Sequence, residues 1–438
     1  MSSLVRPLLA HAYTAAFARS TAEINTFSRE TPERRRRLLG ERLLSQVRYF
    51  STRADTLPEW RAAARVSDPL ELLRVWGELP IVTKEVLQDR FPPAGIAALS
   101  GLRGRIGATG GSTGEPTLFF HDSAMVRACR ALDLHSRKRM GWRPGMPTVA
   151  VWGSDRDIRP GGSSLRKLAK TLRGDLFVDG YQLTEQTAKE AVELIRHHAP
   201  VAMFGFSSML GYVAQKVIEL GLHVPQDAVA VAWSGGEMLL DQHVRAFERA
   251  FGTPILNRYG GRELSTMACQ YHANAALQVH RPWLMVEIVD DVGNPVEPGT
   301  AGRLLWTSTL CRGTPFLRYE IGDLGAYAAN DRDEAGISAL SALHGRQAGV
   351  IEINGKSING LFWNHLLKEF DEVRQFQIVL TREGTLRLRF NGLGFSAERE
   401  AELRAILSRF LGTVDVTIEW GQRLMLTAQG KLMQVVKE

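Results

Sequence analysis

The chain has 438 residues, of which 44% are hydrophobic and 23% are charged, and its formal net charge is +7. This length exceeds what one compact core can organise, so we expect two or three domains of an ordinary globular composition. No apolar run is long enough to cross a bilayer, so no membrane insertion is expected.

Cysteine usage and charge restrict the compartment and the partners. Cys129, Cys269 and Cys311 are too few for a disulfide framework. The N-terminal segment MSSLVRPLLAHAYTAAFARS lacks the apolar block and cleavage site of a secretory signal. Both observations predict a cytoplasmic protein. The excess of basic residues favours an anionic partner such as a nucleotide, coenzyme A or an acidic carrier protein.

The N-terminal part, to about residue 100, is predicted to be mainly helical. Its densest basic run, Arg34 to Arg37, follows Thr31 and Pro32, which are typical of a helix N-terminus. The run is therefore predicted to be the solvated face of an amphipathic helix. No zinc-finger spacing or basic motif with interleaved aromatic residues accompanies it, so no nucleic-acid partner is expected. Thr83 is placed to cap a later helix.

The middle of the chain alternates strands with helices. A glycine-rich segment, IGATGGSTGEPTLFF, is followed by a predicted helix through DSAMVRACRALDLHSRKRMG. The apolar strands PTVAVWG, PVAMFGF and AVAVAWSGG then alternate with predicted helices near 184–198 and in SSMLGYVAQKVIELG. This alternation predicts a parallel sheet covered by helices. After Tyr259 the pattern becomes strand-rich, which predicts a β-rich annex to this core.

The last part of the chain has a different pattern. RQFQIVLTREGTLRLRFNG alternates apolar and polar residues on either side of Glu383 and Gly384, which predicts a hairpin. An amphipathic helix capped by Ser396 and the strand TVDVTIEW follow. We therefore predict an α/β protein with a large N-terminal domain, residues 1–345, and a small α+β C-terminal domain, residues 346–438.

The glycine-rich segment has the composition of an anion-binding loop. Glycine lets the main chain approach a ligand closely, and successive free N–H groups can hold a phosphate. Glu115 stands where a P-loop would have lysine, and the dinucleotide fingerprint G-x-G-x-x-G is absent. The alternative for such a run, taken alone, is a flexible surface loop.

Further motifs follow in order: AWSGGE (232–237), NRYGGRE (257–263), LRYEIGDLG (317–325) and LTAQGKLMQVVKE at the end of the sequence. Each alone is typical of a turn. Together with the glycine loop they resemble the adenylate-forming (ANL) superfamily of acyl-CoA synthetases and ligases, in its phenylacetate–CoA ligase and CapK-like branch. The sequence departs from the superfamily pattern at Gly110, where serine is usual, at Ile321, and in the hinge motif, which is GRQAG and lacks its acids.

The resemblance implies a mobile C-terminal lid and binding of ATP, Mg²⁺ and a carboxylic acid. It implies that Lys431 is catalytic, bridging the acid carboxylate and the α-phosphate, and that Glu263 is catalytic by binding Mg²⁺. Tyr259 would stack on adenine, and Asp323 would accept hydrogen bonds from the ribose hydroxyls. The other nucleotide-binding residues implied are Thr109, Gly110, Gly111, Ser112, Thr113, Gly114, Gly235, Gly236, Glu237, Gly260 and Arg346.

Structural alternatives exist for three of these residues. Glu263 and Asp323 could only satisfy turn N–H groups, and Lys431 could belong to a solvated tail. The acid pocket is predicted to be lined by aromatic side chains and a glycine, namely Phe204, Phe206, Trp233 and Gly260. Such walls favour a flat aryl acid, for example a phenylacetate or hydroxybenzoate, and the alternative for the aromatic residues is core packing.

The resemblance implies a reaction in two stages. The acid is adenylated, and the acyl group then passes to the thiol of coenzyme A or of the phosphopantetheine arm of an acyl carrier protein. The alternatives are transfer to an amine or a sugar, transfer of AMP itself, and a non-catalytic nucleotide-binding scaffold. A separate hypothesis is a structural zinc site formed by Cys269, His272, His280 and Cys311.

Overall fold

The computed structural model describes residues 21–109, 117–152, 174–180, 183–346, 351–354, 356–358, 369–426 and 432–438, with residues 12, 15, 17, 363, 366 and 367. The side chains of residues 97–100, 346, 352, 356 and 357 are excepted. By its contacts the chain divides into two compact units. The first comprises Met1–Met146 and Leu256–Leu343, and the second comprises Pro147–Ile255 and His344–Glu438.

The first part of the chain is mainly helical, as predicted. Residues 21–29 are helical, and the helices that follow are α1 (Pro32–Ser51), α2 (Pro58–Ala63), α3 (Pro69–Val75), α4 (Lys84–Arg90) and α5 (Pro93–Ser100). The Thr31 hydroxyl accepts a hydrogen bond from the Arg34 N–H at the start of α1, and Thr83 accepts one from the Val86 N–H in α4. Both predicted helix starts are therefore confirmed, because the hydroxyl satisfies an N–H that has no partner within the helix.

Two strands flank the glycine-rich segment, and the sequence analysis did not predict them. β1 (Gly104–Ala108) and β2 (Leu118–Asp122) pair antiparallel. The pairing requires glycine at Gly104, because a Cβ atom there would lie 2.1 Å from the His121 carbonyl oxygen. The predicted helix α6 (Ser123–Met140) follows directly, and the Asp122 carboxylate accepts two N–H bonds at its start.

Residues 147–255 form the predicted alternating segment. The strands are β3 (Thr148–Trp152), β4 (Asp175–Asp179), β5 (Val201–Gly205) and β6 (Val229–Gly235), and the helices are α7 (Glu185–His198), α8 (Ser207–Glu219) and α9 (Asp241–Phe251). The strands are parallel neighbours in the order β4, β3, β5, β6. Apolar side chains of the strands and helices pack into one cluster that includes Val151, Val192, Leu210 and Phe247. The helix-covered parallel sheet is therefore confirmed.

Residues 255–340 are rich in strands, as predicted. These are β7 (Ile255–Gly261), β8 (Ser265–Cys269), β9 (Leu277–Val279), β10 (Leu284–Val289), β11 (Gly302–Ser308), β12 (Tyr319–Ala326), β13 (Arg332–Asp333), β14 (Gly336–Ile337) and β15 (Ala339–Leu340). β7, β8, β9 and β15 are successive neighbours, and so are β10, β11 and β12. The first unit has one large apolar cluster, to which helices such as α1 and strands such as β10 both contribute.

The C-terminal residues contain β16 (Ala342–Arg346), β17 (Ile351–Ile353), β18 (Lys356–Ile358), β19 (Val373–Leu380), β20 (Leu386–Gly392), α10 (Ala397–Leu411), β21 (Val416–Trp420) and β22 (Val435–Lys437). β19 and β20 form the predicted hairpin, and β21 runs parallel to β20. The terminal strand β22, which the sequence analysis missed, runs parallel to β19. A separate apolar cluster lies within residues 351–435. The domain boundary at residues 345 and 346 stays a prediction.

These elements are those of the predicted mixed α/β fold. All three cysteines are buried and carry no disulfide, as expected. Within the described part of the chain, no helix combines the length and the apolarity needed to cross a membrane.

Candidate active site

The glycine loop starts and ends at a pair of threonines in the first unit. The Thr109 N–H donates to the Thr117 carbonyl oxygen at 3.0 Å, and the Thr117 N–H donates to the Thr109 hydroxyl at 2.9 Å. These bonds extend the β1–β2 pairing by one step, so they hold the two ends of the loop together. The predicted phosphate-binding residues between them lie outside the described residues, namely Gly110, Gly111, Ser112, Thr113 and Gly114.

The YGGRE motif spans the end of β7 and the start of the turn to β8. A Cβ atom at Gly260 would lie 2.2 Å from the Ser265 carbonyl oxygen, so only glycine allows the two strands to approach this closely. Glu263 follows in the turn and is 5% exposed. Its carboxylate accepts a hydrogen bond of 3.3 Å from the Tyr319 hydroxyl. The glutamate is thus held in place by a residue from β12.

His121 connects the glycine loop to this turn. It lies on β2, just after the loop, and its Nε2–H donates to the Glu263 carbonyl oxygen at 2.6 Å. Burial lowers the pKa of His121 to about 4, so the ring is neutral near pH 7 and serves as a donor to the carbonyl. Arg262 adds a second contact, because its Nη1 lies 3.5 Å from the Ala108 carbonyl oxygen. The sequence analysis did not identify His121.

Tyr259 and Asp323 lie together, although they are 64 residues apart in the chain. The Tyr259 hydroxyl donates to Asp323 Oδ2 at 2.7 Å. Both side chains are half-buried. Asp323 follows Gly322, whose φ of 85° lies in the left-handed region that favours glycine. The structure therefore brings the YGGRE and YEIGD motifs together through two of the residues predicted to bind the nucleoside.

The SGGE motif lies at the end of β6 in the second unit. Gly235 ends the strand, and Gly236 has a φ of 84°. Glu237 was predicted to lie near the adenine, but its carboxylate binds protein donors. Oε2 accepts from the Ser208 N–H at 3.1 Å and from the Ser208 hydroxyl at 2.7 Å, and Oε1 accepts from the Leu432 N–H at 3.2 Å. The predicted position of Glu237 near the adenine stays a prediction.

The aromatic residues predicted to line the acid pocket form a stack in the second unit. Phe206 is 1% exposed and Trp233 is 0% exposed, so both pack as core residues, which was the alternative interpretation. Phe204 is half-buried and lies between two indoles, with ring centroids 4.9 Å from Trp152 and 5.9 Å from Trp233. Among these three predicted wall residues, Phe204 retains a partly accessible ring.

The predicted zinc site is wrong. Its four residues all lie in described segments, where no group of three or more histidine, cysteine, aspartate or glutamate side chains is arranged to hold a metal. His280 instead donates from Nδ1 to the Thr266 carbonyl oxygen at 3.2 Å and accepts at Nε2 from the Tyr271 hydroxyl at 2.8 Å. Burial raises the pKa of the Cys269 thiol to about 11, which keeps it protonated.

Two further predicted residues are described only in part or not at all. Lys431 lies outside the described residues, so its predicted contact with a substrate is not tested. Arg346 ends β16, and its side chain lies outside the description. The predicted roles of both residues stay predictions.

The described groups suit a nucleotide with a metal ion. The carboxylate of Asp323 only accepts hydrogen bonds, which matches hydroxyl groups that donate. Mg²⁺ is commonly held by one or two carboxylates together with substrate phosphates, so a single carboxylate such as Glu263 fits the ion without a protein cage. The position of Glu263 beside the strands that flank the glycine loop agrees with that chemistry.

Comparison with known sequences identifies relatives over most of the chain. Residues 176–311 match the family described as AMP-binding enzyme. A phenylacetate-coenzyme A ligase from Thermus thermophilus is 26% identical over 315 residues, which is 70% of this chain and 69% of the relative. A phenylacetate-coenzyme A ligase from Pseudomonas putida is 23% identical over 348 residues, or 77% of this chain and 74% of the relative.

Comparison with solved structures gives the same fold. A 2-hydroxyisobutyryl-CoA ligase, crystallised in the postadenylation state with an acyl-AMP, aligns with a TM-score of 0.69 at 20% sequence identity. The alignment covers 93% of this chain and 90% of that chain.

Proposed function

We propose that the chain is a member of the adenylate-forming superfamily, in its phenylacetate–CoA ligase-like branch, and that it joins an aryl acid to coenzyme A in two steps. In the first step the acid carboxylate attacks the α-phosphorus of ATP, and pyrophosphate leaves. In the second step the thiol of coenzyme A attacks the acyl carbon of the adenylate. AMP then leaves, and the thiol proton passes to solvent.

The observation that carries this proposal is the hydrogen bond between Tyr259 and Asp323. The tyrosine hydroxyl donates to one carboxylate oxygen at 2.7 Å and so restricts the rotation of the carboxylate. An oriented acceptor suits the two ribose hydroxyls of ATP, which have to donate. The half-buried ring of Tyr259 belongs to the same group and would offer a face to the adenine.

The first step brings two anions together, so its main requirement is positioning and neutralisation of charge. Glu263 would hold Mg²⁺, which supplies positive charge to the phosphates when it is bound. His121 and Tyr319 fix the two ends of this glutamate, one at its carbonyl oxygen and the other at its carboxylate. By resemblance, the loop from Thr109 to Gly114 would bind the β- and γ-phosphates, and Lys431 would bridge the carboxylate and the α-phosphate.

The acid is the less constrained part of the proposal. Two named relatives are phenylacetate-coenzyme A ligases, whereas the structural relative acts on a small aliphatic acid, as its name states. The stack formed by Trp152, Phe204 and Trp233 supports a flat aryl acid, because aromatic rings pack favourably against one another.

The acceptor is proposed to be coenzyme A, which is the acceptor in the names of the curated relatives. The phosphopantetheine of a carrier protein presents the same thiol, so only the assay distinguishes the two. The proposal includes a cytoplasmic location for the protein, because ATP and coenzyme A are both present there.

Hydroxylamine trapping of the acyl-adenylate tests the proposal. ATP-dependent hydroxamate formation is measured across a panel of aryl and alkyl acids, first with the wild-type protein and then with Lys431→Ala. The matched control is Lys437→Ala, whose exposed side chain lies on β22 near the end of the chain. We expect hydroxamate with an aryl acid, loss of most of the signal in Lys431→Ala, and a normal signal in Lys437→Ala. Coenzyme A and a phosphopantetheinylated carrier protein are then compared as acceptors.

Other outcomes have definite meanings. ATP binding without hydroxamate from any acid would refute acid activation and support AMP transfer or a non-catalytic scaffold. Hydroxamate formation with consumption of the adenylate by an amine or a sugar, but by neither thiol, would refute the proposed second step. A full signal in Lys431→Ala would refute the role given to that lysine.

A further inference from the structure

Glu237 joins three parts of the second unit that are distant in sequence. It follows β6, it binds the first turn of α8 through Ser208, and it binds the main chain near the end of the sequence through Leu432. Leu432 directly follows Lys431. We propose that Glu237, together with Gln377, is a positioning residue that sets the place of the main chain next to Lys431 for the first step of the proposed reaction.

Gln377 holds the two arms of the chain on either side of residues 427–431. It lies on β19 and is 0% exposed. Its Nε2 donates to the Met425 carbonyl oxygen at 3.2 Å and to the Met433 carbonyl oxygen at 2.7 Å, and its Oε1 accepts from the Met425 N–H at 3.2 Å. A buried amide with its donors and acceptor satisfied by main-chain groups strongly favours one arrangement of those groups, because unpaired alternatives are costly.

The two arms also bind each other. The Met433 N–H donates to the Met425 carbonyl oxygen at 3.1 Å, and Leu426 and Leu432 form an antiparallel bridge. Gln377 and these main-chain contacts therefore fix the arms within the C-terminal residues. They do not fix the arms relative to β6 and α8, which belong to an earlier part of the chain.

Glu237 supplies that second connection. A carboxylate that accepts main-chain N–H groups makes charge-assisted hydrogen bonds, which are stronger than neutral ones. Its position at the first turn of α8 adds the favourable interaction of an anion with a helix N-terminus. The Leu432 N–H is one peptide bond away from Lys431, so a shift of this contact is transmitted to the lysine. Misplacement of a reacting group by about 1 Å can cost about a hundredfold in rate.

This inference rests on the proposed function and separates two roles for Glu237. An adenine-binding residue contributes to ATP affinity, so its loss raises the KM for ATP. A positioning residue for Lys431 contributes to the first chemical step, so its loss lowers kcat. Loss of a positioning residue should also leave the second step unchanged, because the resemblance assigns no role to Lys431 in that step.

The test compares Glu237→Gln with the wild-type full-length protein. Glutamine has the same shape but only one acceptor oxygen, so the Ser208 donors and the Leu432 N–H can no longer all be satisfied. Glu248→Gln is the matched control, because Glu248 is an exposed glutamate on α9. ATP–pyrophosphate exchange gives kcat and KM for the first step, and thioester formation from supplied acyl-adenylate gives the second step.

We expect Glu237→Gln to lower kcat for pyrophosphate exchange by about tenfold or more, with the KM for ATP and the thioester step each changed by less than about twofold. Glu237→Ala should lower kcat further. Unchanged kcat, or a higher KM for ATP with normal kcat, would overturn the inference. A global loss of structure is detected by the thioester step, which would then fall in parallel.

Amide hydrogen exchange tests the contact without relying on turnover. In Glu237→Gln, exchange at Leu432 should accelerate by about tenfold or more, whereas exchange at Met433 should stay normal because the Met425 carbonyl oxygen accepts its N–H. Normal protection of Leu432 in the variant would overturn the inference. If the wild-type protein catalyses no exchange of pyrophosphate, the proposed function fails, and the hydrogen-exchange result still decides whether Glu237 holds Leu432.

Discussion

The hydrogen bond between Tyr259 and Asp323 should contribute to ATP affinity in a measurable amount. Replacing Tyr259 with phenylalanine removes the hydroxyl that lies 2.7 Å from Asp323 Oδ2 and keeps the ring. A hydrogen bond to a charged group contributes about 1.5–3 kcal/mol, and we reduce this to about 1 kcal/mol because both side chains are half-exposed. The expected result is a Kd for ATP that is about fivefold weaker.

Replacing the carboxylate itself should have a larger effect. Asp323→Asn exchanges an acceptor for an amide whose NH₂ group cannot accept from a ribose hydroxyl. We expect the Kd for ATP to rise by about ten- to a hundredfold, because a buried polar group of the ligand is left without its partner. In the double variant the tyrosine substitution should add less than about twofold, since the two residues act through the same contact.

Isothermal titration calorimetry measures the Kd for ATP of the wild-type protein, the two single variants and the double variant. Tyr327→Phe is the matched control. Its hydroxyl donates to the Val296 carbonyl oxygen at 3.1 Å and accepts from Arg332 Nη1 at 3.2 Å, so the substitution removes a hydrogen-bonded tyrosine hydroxyl elsewhere in the first unit. An unchanged Kd in Asp323→Asn would refute the assignment of this carboxylate to the nucleotide. A normal Kd in Tyr259→Phe, with a weak Kd in Asp323→Asn, would refute the orienting role of the tyrosine alone.

Three further predictions concern stability. Arg318→Met should lower the free energy of unfolding by about 3 kcal/mol in urea denaturation, because it removes a buried cation and leaves the partly buried carboxylate of Glu287 without its partner; a loss below about 1 kcal/mol would contradict this. Gly260→Ala should lower the free energy of unfolding by about 1–3 kcal/mol or more, because the added Cβ atom clashes with Ser265. Gly95→Ala in helix α5 is the control, since there is room for a Cβ atom and the protein should not be destabilised. Equal effects of the two substitutions would contradict the packing described. Burial lowers the pKa of several histidines below the value of about 6.5 expected in the unfolded chain. Their contribution to the free energy of unfolding is therefore complete above a pH of about 6.5. That contribution is lost as the pH falls toward 4, by about 1.4 kcal/mol per pH unit for each histidine. Thermal unfolding at pH 7, 6 and 5 should show a falling Tm, and a constant Tm would contradict the burial of His121, His243 and His280.

The local signals in the sequence predicted much of the fold. The helix starts at Thr31, Thr83 and Ser396 were predictable, because a capping hydroxyl and the N–H that it binds lie within three residues of each other. The terminal strand β22 was missed, since three residues are too few to show a periodic pattern. The pairing of β1 with β2 was missed because glycines occupy much of β1 and obscure the alternation of a strand.

The candidate site was predictable as a set of motifs but not as a set of contacts. The order of the motifs identified Tyr259, Glu263 and Asp323 as candidates, and the structure places Tyr259 against Asp323. His121 carried no motif, and its role depends on a carbonyl oxygen 142 residues away, so no local pattern could have identified it. The contacts of Glu237 were equally inaccessible, because main-chain N–H groups leave no trace in the residue type.

The position of β22 affects how truncated alleles of the gene should be interpreted. β22 pairs with β19 directly after the segment that contains Lys431, and the Ile378 N–H donates to the Gln434 carbonyl oxygen at 2.8 Å. A premature stop codon after Met433 would leave every motif residue in the sequence. The product would nevertheless lose the strand that ties this segment to the sheet. An allele of that kind would be scored as intact by its motifs and would encode an impaired protein.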